Sequence, residues 1–144
     1  MNSGQVNIAA IACRFSDLIA FTTNPDLAET IFSEAEPFGL RVAVEFGGGG
    51  AIALMPLALP VQVDFFAKPY GRGEAIELGT ALLKTTARQF LYHPTLEIAN
   101  GPGGVGLIAE KVYNVSALLR VGTPEGPSFI TGFIENLAVQ TYNL

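Results

Sequence analysis

Apolar and polar residues alternate with a period of two through much of this chain, the repeat of a half-buried β-strand. In "LRVAVEF", Val42, Val44 and Phe46 face one way, and Arg41 and Glu45 the other. In "VQVDFF", Val61, Val63 and Phe65 oppose Gln62 and Asp64. In "YHPTLEI", Tyr92, Leu96 and Ile98 oppose His93, Thr95 and Glu97. In "YNVSALLRV", Tyr113, Val115, Ala117, Leu119 and Val121 oppose Asn114, Ser116 and Arg120. "SFITGFIENLAVQTY" predicts one long strand or a bent pair, with Gly132 or Asn136 as the bulge.

Turn clusters separate these runs: "FGGGG", "AKPYGRGE", "ANGPGGVG" and "GTPEGPS". Short strands punctuated by Gly and Pro predict an all-β fold, an antiparallel two-sheet β-sandwich of roughly seven to nine strands. The alternation resembles immunoglobulin-like and jelly-roll sandwiches in general. With one Cys and no Trp, the cysteine pair and tryptophan of antibody domains have no counterpart. At most one short helix is expected, near residues 24–35. There Thr23 or Asn24 would cap it, Leu27, Ile31 and Ala35 would form its stripe, and Pro37 and Gly39 would end it. The same stretch also reads as loop, or as an extended edge strand through Thr30, Ile31 and Phe32. "LGTALLKTTARQFLY" reads as strand, since β signals flank it. No repeat or linker divides the chain, so residues 1–144 are expected to form one domain.

Composition sharpens the picture. An ordinary domain of this length carries roughly 36 charged residues. This chain of 144 residues has 8 Lys and Arg and 13 Asp and Glu, with 49% hydrophobic residues. Its mean hydropathy is +0.39. Part of the exterior should therefore be apolar and covered by a partner. A net charge of −5 and scattered cations argue against nucleic acid, which needs a basic stripe. The lone Cys13 allows no intrachain disulfide and reads as a buried, inert thiol. The N-terminus lacks the basic, then apolar, layout of a secretory signal, and no run is apolar enough for a transmembrane helix. A cytoplasmic location is the expectation.

"NGPGGVG" raises a chemical question. Gly101, Gly103 and Gly106 satisfy G-x-G-x-x-G, with Glu125 about twenty residues beyond. A dinucleotide site needs a helix to start at this turn, with its positive end on the pyrophosphate. The following "VYNVSALLRV" alternates as a strand, and Pro102 removes a backbone donor. The motif therefore reads as a glycine-rich connection, and no cofactor is expected.

Other constellations are sparse. Lys68, Tyr70 and Arg72 in "KPYGRGE" are candidates to grip a phosphate or carboxylate, against the plainer reading of a soluble hairpin tip. His93 would need Glu97, Glu135 or Asp64 beside it to do acid–base work. Glu97, four residues on along a strand, is about 13 Å away. The acidic strand residues Glu45, Asp64, Glu97 and Glu135 could pair in a cleft, with Glu135 the most unusual in its apolar run. No Cys or His pair has metal-ligand spacing.

The most distinctive stretch is 51–61, eleven residues without a charge between glycines and β-strand. Pro56 and Pro60 argue against a regular helix or central strand. It reads either as a connection tucked over the end of the core or as a glycine-hinged arm that docks on a neighbour. As an arm it would use Ile52, Leu54, Met55, Leu57 and Leu59. Three functions follow, in this order. The first is a non-enzymatic structural or interaction subunit that self-associates, as a homo-oligomer or higher assembly, through apolar edges and the 51–61 arm. The second is a carrier of a small apolar ligand or lipid between its sheets, with peripheral membrane contact left open. The third is a small hydrolase- or isomerase-like enzyme using His93 and the strand carboxylates.

Overall fold

The structure is a computed structural model that describes residues 11–123 and 126–143. Two sheets pack face to face, as the alternation requires. The first has β1 (Ala12–Phe21) paired with β3 (Phe38–Gly47), and β3 paired on its other side with β6 (Leu91–Tyr92) and β7 (Thr95–Ile98). The second runs in the order β2 (Ile31–Ser33), β9 (Gly126–Tyr142), β8 (Val112–Thr123), β4 (Pro60–Pro69), β5 (Ile76–Lys84). All pairings are antiparallel except that of β2 with β9.

The inward sets of the alternating runs make the core. Val42, Val44, Phe46, Val61, Val63, Phe65, Tyr113, Val115, Ala117, Leu119 and Val121 are all buried. Each large side chain taken out of water here contributes about 1.5–3 kcal/mol. The long β9 bends where foreseen. Val115 pairs with Leu137 and Ala117 with Ile134, so Glu135 and Asn136 together oppose Ser116. Asn136 takes φ 77 there and its N–H donates to Asn114 Oδ1 at 2.9 Å. Asn tolerates this left-handed backbone better than most residues. Gly132 instead pairs regularly with Leu119.

Residues 24–35 hold no helix. The Asn24 side chain accepts from the Asp26 N–H at 2.9 Å, and the Leu27 N–H bonds Asn24 O, which closes a turn. Phe32 then enters the core completely and carries β2 onto β9, a gain the thin helical stripe could not match. The helices lie elsewhere: α1 (Gly49–Leu54), continued by a 3₁₀ turn (Met55–Leu57), and the single turn α2 (Gly101–Gly104).

The first of these corrects the flexible-arm reading of 51–61. The stretch is a short helical cap that carries the chain from β3 to β4 over one end of the sandwich. Pro56 sits in the first turn of the 3₁₀ segment and Pro60 at the first residue of β4, positions where a missing N–H breaks no bond. The cap is latched. Thr85 Oγ1 accepts from the Leu59 N–H at 2.8 Å and donates to Met55 O at 2.9 Å, while the Thr85 N–H bonds Leu59 O.

Candidate functional site

The five apolar candidates of the 51–61 stretch divide sharply. Met55 and Leu59 are fully buried in the core, and Met55 Sδ lies 3.6 Å from the Tyr92 hydroxyl. Leu54 is half-buried and packs against the same core. Ile52 and Leu57 point out, 71% and 54% exposed. An amphipathic turn explains the split: the core takes one side of the cap, and the other side is apolar but open. Leu82, 66% exposed, pairs with Gln62 and so shares the outer face of the five-stranded sheet with Thr80 and Asp64.

A second apolar group lies on the outer face of the five-stranded sheet. Phe133 is 60% exposed and pairs with Leu118, while Phe66 pairs with Ser116, two residues from Leu118 on the same face. Beside them Asp64 is buried on what should be the wet face. Its carboxylate accepts from Arg120, from Thr80 Oγ1 at 2.6 Å, and from Gln62 Nε2 at 3.2 Å. Burial pushes this carboxyl up, but the hydrogen bonds from Thr80, Arg120 and Gln62 and the Arg120 charge outweigh it and hold it below the usual carboxylate range. The arrangement is a satisfied structural cluster, which locks β4, β5 and β8 together.

The strand edges are poorly suited to pairing. β1 bulges between Ser16 and Ile19, with Asp17 at φ 56. β5 has a register break opposite Phe65 and Phe66. β2 has only three residues, and His93–Pro94 interrupts the β6–β7 edge. Bulges, shortness and proline are the devices that blunt edge-to-edge association. The exposed apolar side chains named above lie away from these edge devices.

His93 is exposed in a shallow cleft of about 180 Å³ on the outer face of the smaller sheet, with Arg14, Ser16, Asp17 and Glu45. The carboxylates that share its cleft are therefore Asp17 and Glu45. Glu97 lines a different cleft, and Asp64 and Glu135 belong to the other sheet. That second cleft, about 540 Å³, lies at the sandwich end opposite the cap, between the 21–25 loop, Pro37 to Gly39 and β7. It is not a cavity between the sheets, where a carried apolar ligand was expected. Cys13 is half-buried, and burial pushes its thiol up, away from the thiolate form.

The glycine motif has a structural cause. No helix follows Gly106; the chain turns and enters β8. Gly101 has φ 73, and a Cβ on it would lie 2.6 Å from the carbonyl carbon of Ala35 and 2.7 Å from Glu34 O. The Gly103 N–H donates to Glu34 O at 2.8 Å. The glycines let this loop lie against the β2–β3 turn. Glu125, the acidic residue at the spacing of the motif, lies outside the described residues.

Of the anion-binding candidates, Tyr70 and Arg72 line a cleft of about 310 Å³ with Pro69, Lys111 and Val112. Lys68 is exposed on β4 and does not line it. Sequence reasoning missed Lys111, which is distant along the chain and reaches Tyr70 only because Pro69 pairs with Tyr113. It also missed Thr85, whose latch no spacing announces. Among the described residues no three His, Cys, Asp or Glu cluster as metal ligands do, and no helix is long and apolar enough to cross a membrane.

By sequence, the chain matches no family model and no curated protein. Several solved structures are similar in outline. AggA, the major subunit of aggregative adherence fimbriae type I from Escherichia coli, has TM-score 0.40 and 9% identity over 97% of this chain and 99% of its own. β-Glucosidase 3B from Thermotoga neapolitana has TM-score 0.42 and 14% identity over 90% of this chain and 16% of its own. The sporulation control protein Spo0M from Bacillus subtilis has TM-score 0.44 and 7% identity over 96% of this chain and 51% of its own. Likenesses this weak carry no argument about activity or partners.

Proposed function

We propose that this protein is a non-catalytic building block, a β-sandwich that associates with further copies of itself through the apolar cap formed by Ile52 and Leu57. The observation that carries the reading is the cap. A helical turn latched to the body by Thr85 holds Ile52 and Leu57 outward on a fixed base. Rigid presentation lowers the entropy lost on docking. The low charge of the chain fits the same reading, because 8 Lys and Arg and 13 Asp and Glu leave it few ionic side chains with which to keep an apolar exterior wet.

Ile52→Glu with Leu57→Glu tests it. Both side chains are exposed, so the double variant should keep its fold, monitored by far-UV circular dichroism. Sedimentation velocity should show the assembled species of the native chain replaced by monomer. An unchanged sedimentation profile in a folded double variant would remove this surface from the contact.

A further inference from the structure

We infer that the cleft between the β4–β5 loop and the start of β8 binds a small ring compound that bears a carboxylate or phosphate. Both charges that line it are positive, Arg72 and Lys111, in a chain with only 8 Lys and Arg against 13 Asp and Glu. The ion pairs among the described residues are Arg41–Asp26 and Arg120–Asp64, so neither lining cation is matched by a described carboxylate. Two like charges drawn to one cleft repel, and an oxyanion between them turns that repulsion into two charge-assisted hydrogen bonds.

The walls are anchored before any ligand arrives. The Tyr70 N–H donates to Val112 O at 3.1 Å, which ties the loop to β8. The Glu110 N–H donates to Thr141 O at 2.8 Å, and the Thr141 N–H to Lys111 O at 3.4 Å, which ties Lys111 to β9. Gly73, at φ 146, folds the loop back so closely that a Cβ there would meet Pro69 Cγ at 2.3 Å. This return places Arg72 over the cleft. Tyr70, 59% exposed, offers an aromatic face beside the cations. The volume of about 310 Å³ is at the small end for ligand sites, and suits one ring and its anionic group.

Amide-resolved NMR titration tests the site with four probes: benzoate, phenyl phosphate, acetate and inorganic phosphate, each against sodium chloride at equal ionic strength. Saturable shifts should appear at Gly71, Gly73, Lys111 and Val112. The two ring-bearing probes should bind more tightly than their ring-free partners, and Tyr70→Ala should erase that difference. Arg72→Ala and Lys111→Ala should each weaken binding about tenfold, the scale of one charge-assisted hydrogen bond. Lys68→Ala, a neighbouring cation outside the cleft, should bind as the native chain does. Shifts that sodium chloride reproduces, or that survive in the Arg72→Ala, Lys111→Ala double variant, would overturn the assignment.

Discussion

Replacing Arg120 with Met leaves the Asp64 carboxylate buried without its cation, and the cost can be bounded from the structure. Removing one member of a fully buried ion pair costs about 3–5 kcal/mol, and losing an exposed pair less than about 1 kcal/mol. Here the Asp64 side chain is 6% exposed but that of Arg120 is 44% exposed, so water already screens the cation. Thr80 and Gln62 still donate in the variant. A loss of about 1–2 kcal/mol at neutral pH follows, or about 3–7 °C in Tm for a domain of this size. The pH dependence separates this cause from lost packing. In the native chain the Asp64 carboxyl is held below its unfolded value of about 3.9. It therefore contributes stability that is complete above that value and is lost as pH falls through the folded pKa. In Arg120→Met two of the causes that lower the carboxyl are gone, its hydrogen bond from Arg120 and the Arg120 charge, so its folded pKa lies above that of the native chain. The difference between native and variant should therefore shrink as pH falls from about 7 through the carboxylate range to about 3. Urea unfolding at these pH values, followed by far-UV circular dichroism because the chain has no Trp, measures it. A difference that stays constant with pH would refute the electrostatic account.

Other substitutions probe the cap and the glycine loop. Met55→Ala should cost about 2–5 kcal/mol in urea unfolding, because Met55 is fully buried, whereas Ile52→Ala should cost less than about 0.5 kcal/mol. Equal, small effects would mean that the 51–61 stretch is a free arm after all. Gly101→Ala adds a Cβ 2.6 Å from the Ala35 backbone at a positive φ, and should lower stability by about 2 kcal/mol or more by the same assay. A neutral result there would return the glycine motif to ligand binding as its reason for being.

What the sequence disclosed follows the range of the forces involved. The inward residues of β3, β4 and β8 were legible because alternation is local, and one buried face dictates every second residue. Asn136 was legible because few side chains accept a positive φ inside a strand. Residues 24–35 misled because the capping signals at Thr23 to Asp26 are local, while the burial of Phe32 against β9 is a contact across more than a hundred residues. The prolines of 51–61 misled in the same way. They forbid a helix interior, yet Pro56 and Pro60 stand at element starts, and only the Thr85 latch reveals which side of the segment the core takes. Tyr70 and Arg72 were found because they share one turn. Lys111 was not, since nothing in its own neighbourhood distinguishes it from a solvated lysine.

The central claim is that this sandwich carries an apolar end which a second copy covers. Light scattering of the native chain over a wide concentration range tests it most directly. The account predicts a weight-average mass that rises above the 15.2 kDa of the single chain toward a defined multiple or an open assembly. A mass that stays at 15.2 kDa at every concentration would contradict it.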